Sequence, residues 1–150
     1  METIKQLSVF LENKGGRIND VAKALGEHGI NMHAFSMAET TDFGILRLIV
    51  SDVEQAVGVL RAENFAVVLT DVVCISCPNV AGALSAILER LAEHQVFIEY
   101  MYAFANGADA SAVLKCDDPA RVVDILRGSG FDVWEAAEAY VSNIKGAGQN

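Results

Sequence analysis

Gly16-Arg17-Ile18-Asn19-Asp20-Val21-Ala22-Lys23-Ala24-Leu25-Gly26-Glu27-His28 is followed, 66 positions later (82 − 16 = 66), by Gly82-Ala83-Leu84-Ser85-Ala86-Ile87-Leu88-Glu89-Arg90-Leu91-Ala92-Glu93-His94. Each segment starts on glycine, ends on Glu-His and carries its apolar residues at helical spacing. The same offset, without a gap, brings Asn13 onto Asn79, Asp52 onto Asp118, Leu60-Arg61 onto Leu126-Arg127, and Phe65 and Val67 onto Phe131 and Val133. Matches spread over the whole unit mark an internal duplication, and a repeat of this length is one supersecondary assembly used twice.

Working outward from the first helix, residues 4–11 alternate with Leu7, Val9 and Leu11 on one side, the period of a half-buried strand. The Gly15-Gly16 pair breaks that strand. From Arg17 to His28 the residues Ile18, Val21, Ala22 and Leu25 form one apolar face, and Gly29 is placed for a left-handed C-terminal cap. A strand over Ile30 to Glu39, a turn over Thr40 to Gly44 and a strand over Ile45 to Val50 follow. Asp52 and Gln55 are spaced as a capping box for a helix whose inner face is Val53, Ala56, Val57 and Leu60. Phe65 to Leu69 is the fourth strand, so the order is βαββαβ.

The second half repeats it: strand Val72 to Cys77, helix Gly82 to His94 with Leu84, Ile87, Leu88 and Leu91 inward, and strand Val96 to Phe104. An Asn106-Gly107 turn and a strand Ala112 to Cys116 come next. Asp118-Pro119 then opens a helix, with Pro at a position where its missing N–H costs nothing. The last strand spans Phe131 to Ala137. The expected fold is α+β: two tandem ferredoxin-like βαββαβ units, each an antiparallel sheet with both helices on one face. The expected organisation is residues 1–69, residues 70–140 and a short tail over 141–150. Ile4, Phe10, Val72 and Cys74, with Gln6, Ser8 and Ser76, fall on the face away from the helices, and that open, partly apolar face predicts a homodimer.

Composition narrows the function. The chain has 150 residues, 52% of them apolar, enough for a substantial core. No apolar run approaches the roughly 18 residues of a membrane span, and the N-terminus lacks the pattern of a signal peptide; the expectation is a cytoplasmic protein without membrane contact. Eleven Lys and Arg against twenty Asp and Glu leave a net charge of −9, which repels a phosphate backbone, so nucleic acid is not an expected partner. Three cysteines are too few for a disulfide scaffold. Cys74 and Cys77 have C-x-x-C spacing, but odd spacing within a strand throws the thiols to opposite faces, so they read as buried structural residues and no metal is expected. His28 and His94, in the last turns of equivalent helices, read as caps.

The segment Gln6-Leu7-Ser8-Val9-Phe10-Leu11-Glu12-Asn13-Lys14-Gly15-Gly16-Arg17-Ile18 resembles the first strand and loop of an ACT domain, as does Gly29-Ile30-Asn31-Met32. Pro78-Asn79-Val80-Ala81-Gly82-Ala83-Leu84 and Ile98-Glu99-Tyr100-Met101-Tyr102-Ala103-Phe104 resemble the matching parts of a second. The resemblance covers about residues 3–137 and is closest to small proteins built of two ACT units. It implies a non-catalytic regulatory protein binding a free amino acid between units, with no cofactor and with an enzyme of amino-acid metabolism as a possible partner. It also implies the contacts: Asn13, Gly16, Arg17, Ile18 and Asn31 for one half-site, and Asn79, Val80, Ala81, Gly82, Ala83, Leu84, Glu99 and Tyr100 for the other. The chemistry agrees, because unpaired N–H groups at a helix start favour a carboxylate and glycine admits it to the backbone. The loop glycines also satisfy turn geometry on their own account. Phe97 stands where Asn31 stands in the first half, so the two half-sites are chemically unequal. A ligand-free interaction subunit and, less favoured, a small ferredoxin-like hydrolase are the alternatives.

Overall fold

Alternating and helical apolar periods resolve into seven strands and four helices in the computed structural model, which describes residues 3–12, 15–39, 42–78, 80–106 and 109–134. The order is β1 (Ile4–Glu12), α1 (Arg17–Glu27), β2 (Met32–Glu39), β3 (Phe43–Val50), α2 (Val53–Ala62), β4 (Ala66–Pro78), α3 (Ala83–Glu93), β5 (Ile98–Asn106), β6 (Asp109–Cys116), α4 (Pro119–Gly128) and β7 (Asp132–Val133). Contacts group the chain into two compact units, one built on Lys5–Thr70 and the other on Asp71–Ala139. In the first, the strands run β2-β3-β1 with β4 beside β1. In the second they run β5-β6-β4, and β7 pairs with β4 at Ile75 and Ser76. All the registers found are antiparallel, the arrangement of a split βαβ unit.

The duplication extends to local geometry. Helices α1 and α3 are 11 residues long, α2 and α4 are 10, and each pair is offset by 66. Register shifts fall between Met32 and Ala34 in β2 and between Ile98 and Tyr100 in β5, again 66 apart. Asp52 and Asp118 cap their helices alike, each accepting from the backbone N–H three residues on, at 3.1 and 3.2 Å. His28 and His94 are the C-caps of α1 and α3, their Nδ1 atoms 2.9 Å from the carbonyls of Ala24 and Arg90.

Each unit keeps its own core. Leu7, Val9, Leu11, Val21, Leu25, Leu46, Leu48, Leu60 and Phe65 bury together in the first, and Val73, Ile75, Ile87, Leu91, Leu114, Val122 and Leu126 in the second. Helix α1 buries Val21 and Leu25 as expected but differs from the expected face at Ile18, Ala22 and Ala24. Val21, Ala24 and Leu25 are buried, whereas Ile18 is 46% exposed and Ala22 half-buried. Two further differences concern the sheets. Phe65–Leu69 and Val72–Cys77 were expected as separate strands, but Ala66–Pro78 is a single strand of 13 residues. The face away from the helices was expected to be open, yet Ile4, Gln6, Ser8, Val72 and Cys74 are buried within the single chain. The expected Asn106-Gly107 turn, the end of the last strand and the tail over 141–150 lie at least partly outside the described residues.

One position tests the duplication energetically. After α1 the chain reverses through Gly29 at φ 69°, and after α3 through Gln95 at φ 58°. A side chain in this left-handed region costs roughly 1 kcal/mol, so Gln95→Gly is expected to raise the unfolding free energy by about 0.5–1 kcal/mol. Gly29→Gln, which has open space around the added Cβ, is expected to lower it by a similar amount; urea midpoints of the two variants measure both.

Candidate functional site

Strand β1 ends at Glu12, paired with Phe43 at the start of β3, and Glu39 at the end of β2 pairs with Gly44. Three strand ends thus gather at one edge of the first unit. Helix α1 begins over the same edge. Its N-cap is Gly16 in a left-handed conformation (φ 87°, ψ −4°), and no side chain among the described residues caps it. The Asp20 N–H closes the first turn on the Gly16 carbonyl at 2.9 Å, which leaves the earlier N–H groups of the turn without intrahelical partners.

Between helix and strand ends lies a groove of about 870 Å³, lined by Leu11, Glu12, Gly15, Gly16, Arg17, Ile18, Asn19, Ala22, Met37 and Glu39. Gly44 beneath Met37 has a packing role: a Cβ there would come within 2.7 Å of the Met37 methyl. Ala110 and Ala103 hold the equivalent places in the second unit (44 + 66 and 37 + 66), so the larger side chain and the smaller backbone position exchange together.

The groove combines partial positive charge at the helix start with the carboxylates of Glu12 and Glu39. A zwitterion carrying a carboxylate and an ammonium matches that pairing. Arg17, expected among the ligand contacts, is engaged within its own unit. Its guanidinium carbon lies 4.4 Å from the centre of the Phe65 ring, and its Nη1 donates to Asp20 at 3.1 Å. Its Nε is buried without a hydrogen-bond partner among the described residues.

Of the residues expected in the first half-site, Gly16, Arg17 and Ile18 come together at this groove, and Asn13 lies outside the described residues. Asn31 sits at the opposite end of its unit, where its N–H donates to the Ser51 hydroxyl at 3.0 Å beyond the end of β3. An eight-residue strand, roughly 25 Å at about 3.3 Å per residue, separates it from the loop. In the second half-site, Gly82 caps α3 with φ 85° and ψ −13°, Val80 and Ala81 are exposed beside it, and Ala83 and Leu84 begin the helix, half-buried. The Ala83 N–H reaches the Val80 carbonyl at 3.3 Å. Asn79 lies outside the described residues, and Glu99 and Tyr100 stand at the far end of β6, beside Cys116 and Lys115.

Sequence reasoning did not single out Glu12, Asn19, Met37 and Glu39, which line this groove. Their signal lay in strand pairing: placing Glu39 opposite Gly44, and Gly44 opposite Leu11, brings the end of β2 under the glycine loop. The cysteines fall as the alternation requires. Cys77 belongs to the helix-side core, and Cys74, three residues away, is on the other face. Burial pushes the Cys74 thiol up to about 12. Among the described residues, no group of three or more His, Cys, Asp and Glu could hold a metal ion, and no helix is long and apolar enough to cross a membrane.

The fold and its glycine-capped loops define a duplicated ferredoxin-like protein. The sequence matches the ACT domain pair over residues 2–138, and the chain belongs to that family. A protein of Bacteroides thetaiotaomicron of known structure is 46% identical, with a TM-score of 0.89 over 93% of this chain and 96% of that one. The regulatory subunit of aspartate kinase from Thermus thermophilus, in its ligand-free form, shares the fold at 14% identity and a TM-score of 0.63, covering 83% of this chain and 89% of that one. The corresponding subunit from Thermus flavus is similar, at 15% identity and a TM-score of 0.62 over 83% and 88%. No curated protein matches the chain.

Proposed function

We propose that this protein is a non-catalytic regulator that binds a free amino acid, with the groove of the first unit as the principal ligand site. The observation that carries the reading is the pairing, in one concavity, of the helix start at Gly16 with the carboxylates of Glu12 and Glu39. The backbone N–H groups hold the ligand carboxylate and an acidic side chain holds its ammonium. Asn13 and, through the loop at Gly82, Asn79, Val80, Ala81, Ala83 and Leu84 extend the same logic to the two loops. Asn31, Glu99 and Tyr100 are contacts that a second copy of the chain supplies. Family membership supports the regulatory role, and the fold shared with proteins described as regulatory subunits of aspartate kinase supports an enzyme of amino-acid metabolism as the partner.

The regulator acts in this reading as a homodimer. Phe35 is 63% exposed on β2, an edge of its sheet, and Met37 and Ile18 are exposed nearby in the same unit, leaving apolar surface for a second copy to cover. Ligand then shifts an equilibrium by its different affinity for two arrangements. The proposed setting is the cytoplasm.

Thermal unfolding against each of the twenty amino acids tests the site. A ligand at 100 times its dissociation constant adds about 2.7 kcal/mol, seen as a raised melting temperature. The shift is expected to vanish in Gly16→Val, read against that variant's own baseline, and to survive in Gly82→Val. No shift with any amino acid would transfer the proposal to the ligand-free interaction subunit.

A further inference from the structure

The two units serve as templates for each other, and one difference between them leaves a shaped space. In the first unit the Arg17 guanidinium lies 4.4 Å over the Phe65 ring and is tied to Asp20 at 3.1 Å. In the second unit the ring is kept, since Phe131 is the counterpart of Phe65 (65 + 66 = 131). Its backbone is held in the same way: the N–H of Phe65 bonds Leu60 at 3.0 Å, and that of Phe131 bonds Leu126 at 2.9 Å. Both partners of the ion pair are gone, because Ala83 stands for Arg17 and Ala86 for Asp20. A cavity of about 360 Å³ lies there, lined among others by Ala83, Ala86, Ile87, Phe131 and Asp132.

We infer that this cavity is a binding site for a guanidinium group, which takes the place over Phe131 that the chain's own Arg17 takes over Phe65. A flat, delocalised, weakly hydrated cation stacks on an aromatic face, whereas a compact ammonium keeps its water. The start of α3 by itself disfavours a cation, and in the first unit the Asp20 carboxylate offsets that. In the second unit Asp132 lines the cavity where the first unit has Ala66, so a negative charge is restored from the strand side. The site lies in the other unit from the groove of the proposed function and stands without it. Its ligand is free arginine or the arginine side chain of a peptide, which share the recognised group.

Isothermal titration of the full chain with L-arginine, a blocked Gly-Arg-Gly peptide and L-citrulline tests the inference. Arginine or the peptide is expected to bind at least tenfold more tightly than citrulline, which has nearly the same shape without the charge. Tighter binding of arginine identifies a free metabolite, and tighter binding of the peptide a protein side chain. Ala83→Arg is expected to abolish binding by placing the chain's own guanidinium in the cavity, with the melting temperature unchanged or raised. Phe131→Leu should weaken binding about fivefold, the size of an exposed cation–π contact. Gly16→Val should leave it intact even where that variant has lost an amino-acid response. Equal affinity for arginine and citrulline, no binding at millimolar arginine, or binding that survives Ala83→Arg would each overturn the assignment.

Discussion

Leu48→Ala is expected to lower the unfolding free energy by about 3 kcal/mol, enough to consume a large share of a small domain's stability. Leu48 lies in β3, the strand flanked by β1 and β2, and is fully buried opposite Leu7 and Phe35. Truncation removes three buried carbons and leaves a cavity that neighbouring β-sheet backbone cannot close. The counterpart Leu114 (48 + 66) is also fully buried, between β4 and β5 opposite Val73 and Met101. Leu114→Ala is expected to cost the same within about 1 kcal/mol. Urea titration followed by circular dichroism measures both, and losses under 1 kcal/mol would mean that these positions are not core.

Native Cys74 is expected to react with a thiol reagent at pH 8 at least tenfold more slowly than the same cysteine in the denatured chain. Its thiol is pushed from 9.0 up to about 12 by burial, which lowers the reactive thiolate, and the same burial shields the sulfur from the reagent. The same displacement sets a pH dependence. The folded thiol holds its proton more tightly than the unfolded one, so the stability it contributes is complete below about pH 9 and is lost as the pH rises towards 12. Cys116 is displaced in the same direction, chiefly by burial, with Lys115 opposing and Asp117, Asp118 and Glu99 adding to it. Labelling kinetics with and without denaturant test the first statement. For the second, the urea midpoint of Cys74→Ala should fall less steeply above pH 9 than that of the parent chain.

Local signals carried most of the fold. The alternation of Leu7, Val9 and Leu11, the caps Asp52 and Asp118, and Pro119 at the first helical position all act within a few residues, and each is found where its chemistry requires. The face of α1 was less legible because alanine occupies both 22 and 24. Two stripes were then nearly equal, one through Ile18 and Ala22 and the other through Ala24, and only packing against the sheet selects between them. Thr70-Asp71 fell between the two strands expected over Phe65–Leu69 and Val72–Cys77. In the structure both lie half-buried within β4, and Asp71 accepts a hydrogen bond from the Thr3 hydroxyl at 3.4 Å. A contact between residues 68 apart leaves no local trace.

The candidate site divides the same way. The glycine loop at Gly16 is a local device, legible from strand, glycine and helix in succession. Glu12 and Glu39 are 27 positions apart (39 − 12 = 27) and share the groove only through their pairing with Phe43 and Gly44 on β3. Arg17 was legible as a first-turn cation. Its stacking on Phe65, 48 residues away, was not.

The unbroken run of β4 has a practical and a historical consequence. Protein halves are commonly separated at a linker, but a cut between Thr70 and Asp71 would fall within a 13-residue strand and leave two frayed stubs in place of two clean termini. Gene fusions that borrow this pair must therefore take it whole, and insertions of new sequence will be tolerated at other junctions before this one. A duplication that began as two copies in tandem has lost the seam at which they could be parted again.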